Sequence, residues 1–158
     1  MTTLGAAHLT AAIAALAFGS AVLLARKGTH DHRAMGAAFV AAMLATNLTA
    51  LGIFQLTGTF GPFHALALAG LAILARGVIA VLRRRPGWLT THYYCMAWSY
   101  IGLLAASCTE IIARVPFGLV QSARDGLIVG LVCTAVFLVI GLIVLPRLAA
   151  RTLGSVRP

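Results

Sequence analysis

Apolar runs of about twenty residues, the length a helix needs to cross a bilayer core, recur along the chain between short polar or Gly/Pro-rich breaks. The pattern predicts five spans, at about residues 6–25, 35–57, 63–82, 91–113 and 126–146. The breaks are Gly28 with Thr29-His30-Asp31-His32-Arg33, then Gly58-Thr59-Phe60-Gly61-Pro62, then Arg83-Arg84-Arg85-Pro86-Gly87, then Pro116-Phe117-Gly118 through Asp125. Pro62 and Pro86 precede their helices, where a missing N–H costs little. The first run has no Lys or Arg ahead of it and a basic cluster behind it, so it is expected to remain as a spanning helix and not to be removed as a secretion signal. The fold class is all-α integral membrane, with one transmembrane domain over residues 1–158.

Small residues decide which faces meet, because lipid tails give apolar side chains no reason to leave them. Ala34, Ala38, Ala41, Ala45 and Gly52 mark one face of the second span, and Ala65, Ala69, Ala72 and Ala80 one face of the third. Both faces are expected to touch neighbouring helices. The fifth span, rich in Val, Ile and Leu, is expected to be lipid-facing and peripheral to a bundle of the first four. Arg26, Lys27 and Arg33 follow the first span, Arg83, Arg84 and Arg85 the third, and Arg147, Arg151 and Arg157 the fifth. The opposite side carries Arg114 and Arg124, so the excess of cations puts the N-terminus outside and the C-terminus inside. Trp88, Tyr93 and Tyr94 then form an aromatic belt at the inner interface.

Composition agrees with this picture. Apolar residues make up 61% and charged residues 9%, too few to cover a water-soluble domain, where about 25% is usual. The net charge of +9 would point to nucleic acid in a soluble protein. Here the cations lie in loops between spans, so membrane orientation accounts for them and no nucleic-acid partner is expected. Cys95, Cys108 and Cys133 form no paired motif and read as small buried hydrophobes.

The candidate chemistry rests on histidines. His8, His32, His64 and His92 each stand near the start of a different span, His8 and His64 on the outer side, His32 and His92 on the inner. The spacing from His8 to His32 resembles that from His64 to His92, as in two copies of a helical hairpin. One histidine per helix, two at each level, is the layout that clamps two b-type haem irons between paired imidazoles. The small face His8, Ala12, Ala15 and Gly19 would leave room for a flat macrocycle. The plainer reading is that histidines at helix starts sit at the interface, where the ring reaches water. A non-haem metal held by His30, Asp31, His32, His92 and Cys95 fits less well, because an HDH run is more often a solvated loop.

Inside the spans, His92, Met96, Ser99, Leu103, Glu110 and Arg114 share one stripe of span four. Glu110 is expected to pair with Arg114 one turn on, and with His8 and His64 at similar depth the pair could form an outer polar cluster. Arg76 lies about 10 Å deeper than Arg83 at the helical rise. It either snorkels along its stem or meets an anionic cofactor or lipid headgroup. Thr46, Asn47 and Thr49 read as interhelical hydrogen-bond glue. No phosphate loop, dinucleotide fingerprint, HExxH or serine elbow is present in the sequence, so the reading leans away from an enzyme.

The helix-opening His8, the turn Lys27-Gly28, the segment His32-Arg33-Ala34-Met35-Gly36 and the set His92, Met96, Ser99 and Tyr100 resemble the bacterial predicted membrane proteins of domain of unknown function 2306. The resemblance covers roughly residues 4–115. It implies a small helical bundle in the bacterial inner membrane with no assigned activity, and gives weight to His8, His32, Arg33, Gly36, His92, Met96 and Tyr100. Many members carry an arginine near the end of the fourth span, where this chain reads Cys108-Thr109-Glu110. Three functions stay open: a non-catalytic accessory subunit or assembly factor of a larger membrane complex, a b-type dihaem electron carrier, and a small proton-coupled transporter using Glu110 and His92.

Overall fold

The computed structural model describes residues 2–54, 58–114 and 120–154, and the regular structure among them is α-helix throughout. There are five helices: α1 (Thr3–Leu24), α2 (His30–Ala50), α3 (Pro62–Arg83), α4 (Trp88–Arg114) and α5 (Ala123–Gly154). Each overlaps one predicted span, and the differences lie at the ends, where caps and not hydropathy set the boundary. Thr29 Oγ1 accepts from the His32 N–H at 3.3 Å, so the polar run His30-Asp31-His32-Arg33, expected as a break, is the first turn of α2. Asp31 in that turn suits the positive end of the helix dipole. At the far end α2 stops at Ala50, short of the predicted 57, and residues 55–57 lie outside the described residues. Pro116-Phe117-Gly118 and Arg157 lie outside them as well.

Ser122 and Asp125 cap α5 reciprocally: Ser122 Oγ accepts from the Asp125 N–H at 3.2 Å, and Asp125 Oδ2 accepts from the Ser122 N–H at 2.9 Å. At its other end α5 runs through Pro146 to Gly154, two turns beyond the predicted stop. The missing Pro146 N–H leaves the Leu142 carbonyl without its usual donor without ending the helix.

The chain forms two compact units, Met1–Leu71 and Ala72–Pro158, with the boundary inside α3. In the first, α1 packs on α2. Its core holds Ala15, with no exposure, together with Gly19, Phe39, Met43, Thr46 and Ala67. Asn47 comes so close to α3 that a Cβ at Gly70 would stand 2.7 Å from its Oδ1. In the second, α4 packs on α5 and on the latter half of α3. A Cβ at Gly141 would meet the Trp98 ring at 2.6 Å, and one at Gly77 would meet Cys95 Cβ at 2.8 Å. These glycines let backbones approach. The Tyr93 and Thr152 side chains hydrogen-bond, tying the extension of α5 beyond Pro146 to the start of α4.

Packing corrects several expected faces. Ala34, Ala41 and Ala45 of α2 and Ala65, Ala69 and Ala72 of α3 point outward, while α2 buries Phe39, Met43 and Thr46, and α3 buries His64, Ala67, Leu74 and Gly77. Bulk on the inward side fills the core better than alanine, which is the physical reason for the reversal. The fifth helix buries Gly126, Gly130, Cys133, Gly141, Leu145 and Ala149, so it too docks through small residues, with Val, Ile and Leu left for lipid. The face His8, Ala12, Ala15 and Gly19, expected to leave room for a macrocycle, is the packed face of α1.

Four helices, α1, α3, α4 and α5, are long and apolar enough to cross a membrane. By the same measure α2 falls short in apolarity, since His30-Asp31-His32-Arg33 opens it and Thr46, Asn47 and Thr49 lie near its end. The protein is a multi-pass membrane protein in contact with the lipid bilayer.

Candidate functional site

His64 is the most deeply placed of the histidines, 4% exposed, three residues after the glycine that precedes α3. Its Nδ1 accepts the Gly61 N–H at 3.1 Å, closing the helix start as an acidic side chain does in a capping box. A nitrogen that accepts this bond keeps its lone pair, so in the neutral ring the proton sits on Nε2. Nε2 is buried and meets no hydrogen-bond acceptor among the described residues. The ring stacks on Phe54 and Phe60, with centroids 4.7 Å and 5.1 Å away.

His8 has the opposite arrangement. Its Nδ1 lies 3.0 Å from the Thr46 carbonyl oxygen and 3.0 Å from Thr49 Oγ1. A carbonyl only accepts, so Nδ1 carries the proton and Nε2 the lone pair. Thr46 and Thr49 thus take part in hydrogen bonding between α1 and α2, as partners of His8. Thr46 Oγ1, Asn47 Nδ2 and Thr49 Oγ1 donate to carbonyls one turn back in α2, at 2.8, 2.8 and 2.6 Å. His8 links α1 to α2 through both of its contacts. His8 thus stands near the C-terminal end of α2, and His64 stacks on Phe54, just past that end.

In the second unit His92 repeats the His8 pattern, with Nδ1 3.1 Å from the Gly77 carbonyl oxygen. The stripe it shares with Ser99 and Leu103 is the buried side of α4. Glu110 and Arg114, further along, are exposed and ion-paired, with Arg114 Nε donating to Glu110 Oε1 at 2.6 Å. His32 is half-buried, and its backbone N–H is held by the Thr29 cap. His30 is exposed, with Nδ1 3.6 Å from Asp31 Oδ1. No three His, Cys, Asp or Glu side chains gather in a metal-binding group among the described residues. Arg76 is exposed and lines a concavity of about 210 Å³ with Arg83, Arg85, Trp88 and Thr91.

Sequence spacing could not reveal two partners, the Thr46 and Gly77 carbonyls, because every residue carries one. The His64 cap had a signal, a histidine three residues after a glycine at a helix start.

His8 and His92 bind neighbouring helices together through their ring nitrogens, and His64 caps the start of its own helix. The profile of the predicted membrane protein family DUF2306 matches residues 5–150. The chain belongs to DUF2306. The match runs past residue 115, so α5 is as much a part of this DUF2306 protein as the first four helices. No curated protein and no solved structure matches it.

Proposed function

We propose that this DUF2306 protein is a non-catalytic subunit of a larger assembly in the bacterial cytoplasmic membrane. The observation that carries this reading is the outward position of small residues on α2 and α3, Ala34, Ala41, Ala45, Ala65, Ala69 and Ala72. Small residues let a neighbouring helix come close, and lipid gains nothing from them. Among the described residues of each unit these faces stay uncovered, which supports a helix of another polypeptide as the neighbour. Five crossings, with the N-terminus outside, place the cation clusters after α1, α3 and α5 on the cytoplasmic side.

The test is purification of the full chain from its own membranes in mild detergent. A larger membrane protein should co-purify at a fixed ratio, and the pair Ala41→Leu and Ala69→Leu should release it while helicity is unchanged. Recovery of the wild-type chain alone and monodisperse rejects the subunit reading.

One observation favours a second reading, a haem-binding electron carrier. The donation from Nδ1 to a carbonyl at His8 and His92 is the arrangement that metal-ligating histidines use, with Nε2 left as the ligand atom. His64 does not fit, since its Nδ1 accepts and its Nε2 is protonated. The packed small face of α1 also argues against a macrocycle at His8. Oxidised and dithionite-reduced spectra of the purified protein decide: a reducible haem band lost in His8→Ala or His92→Ala supports this reading, and a colourless protein rejects it.

A further inference from the structure

Arg76, Arg83 and Arg85 line one concavity of about 210 Å³ at the junction of α3 and α4, closed on the α4 side by Trp88 and Thr91. None of the three pairs with a carboxylate among the described residues. The chain has only three acids, and each is engaged elsewhere: Asp31 near His30, Glu110 with Arg114, Asp125 in the cap of α5. Three like charges around one hollow repel each other unless an anion joins them.

Two of these cations suit their positions without a ligand. Arg83 stands in the last turn of α3, where the helix dipole favours a cation, and Arg85 belongs to a loop whose charge orients the chain. Neither effect reaches Arg76. It lies two turns inside an apolar helix, where a guanidinium is costly unless it snorkels along its stem or meets an anion. The turn itself is held in shape: Arg84 adopts φ 45° and Gly87 φ 78°, and the Arg84 guanidinium lies 5.9 Å from the Trp88 ring centroid. That stacking turns Arg84 onto the tryptophan and leaves Arg76, Arg83 and Arg85 at the hollow.

We propose that this hollow binds a phosphate group. Arg76 reaches it from within the hydrocarbon region, Arg83 and Arg85 from the headgroup level, and guanidinium forks suit phosphate oxygens in more than one pairing. Thr91 and Trp88 also line the hollow, and their side chains carry neutral donors, a hydroxyl and an indole N–H. Two sources share this chemistry, the headgroup of an anionic phospholipid and a soluble phosphate. The proposal is independent of the subunit reading, since none of the residues that line the hollow belongs to the outward alanines that carry that reading.

The test uses the delipidated full-length protein in detergent, with native mass spectrometry counting bound molecules. The probes are dioctanoyl phosphatidylglycerol, dioctanoyl phosphatidylcholine and inorganic phosphate. One phosphatidylglycerol per chain is expected, with affinity lowered more than about tenfold in Arg76→Gln and in Arg83→Gln, beyond the about fivefold that one surface charge gives. Arg147→Gln, an arginine away from the hollow, should bind as the wild type does. Inorganic phosphate that displaces the lipid at equal concentration identifies a soluble phosphate as the ligand; phosphate without effect identifies the headgroup. Equal binding of phosphatidylglycerol by wild type and Arg76→Gln overturns the proposal, as does an equal loss in Arg147→Gln, which marks diffuse charge only. Arg83→Gln and Arg85→Gln lie at or beyond the end of α3, so they carry the test if Arg76→Gln does not fold.

Discussion

Between Phe54 and Phe60 the His64 ring keeps one N–H away from water and from any acceptor among the described residues, which costs about 1–3 kcal/mol. A phenylalanine there would keep the stack and remove that N–H, at the loss of the Gly61 bond. We expect His64→Phe to leave the unfolding free energy unchanged or to raise it by about 1 kcal/mol. His64→Ala should lower it by about 2–4 kcal/mol by opening a cavity between the rings. Unfolding in detergent, followed by circular dichroism, measures both. If phenylalanine proves as damaging as alanine, Nε2 has a bonded partner and His64 returns as a binding residue. At this scale the sequence was legible for identity and not for role. It singled out His8, His64 and His92 together, yet the proton sits on opposite nitrogens in His8 and His64 because one meets a carbonyl and the other an N–H.

At the scale of helices, the register between α4 and α5 brings Cys108 and Cys133 to an Sγ–Sγ separation of 3.8 Å. A small movement would reach bonding distance, about 2.05 Å. Copper phenanthroline should therefore close an intrachain disulfide that protects both thiols from maleimide and leaves Cys95 as it was. Unchanged labelling of all three would mean that the two helices pair in another register. Gly141 underlies that register, since its missing side chain admits Trp98. Helix existence was readable from apolar length, because the bilayer demands it of every span. Facing was less readable: the alanine stripes of α2 and α3 looked like contact surfaces, whereas the larger Phe39, Met43 and Leu74 turned inward. An amphipathic soluble helix announces its buried side by polarity, but in lipid both sides are apolar and only size distinguishes them. Helix ends were misread for a related reason, since the cap at Thr29 makes a polar first turn helical whatever its hydropathy.

For the whole molecule, topology turns on α2, which is less apolar than its neighbours. The proposed five crossings would put the segment around residues 58–61 on the side of the N-terminus, and the Arg84–Gly87 turn on the side of the C-terminus. Alkaline phosphatase fused after residue 60 should be active and after residue 154 inactive. Activity at both would show that the C-terminus lies outside and would remove the five-crossing topology. The division into two units within α3 was not legible at all, because hydropathy treats that helix as one apolar run.

The unequal lengths of the helices have a consequence for the membrane itself. α1 and α3, each of 22 residues, measure about 33 Å at the helical rise, and α5, of 32 residues, about 48 Å. One hydrocarbon thickness cannot suit both, so α5 must lean or push its Arg147–Arg151 end out among the headgroups. Pro146 leaves the Leu142 carbonyl without its usual donor, so bending of α5 to suit a different thickness costs least there.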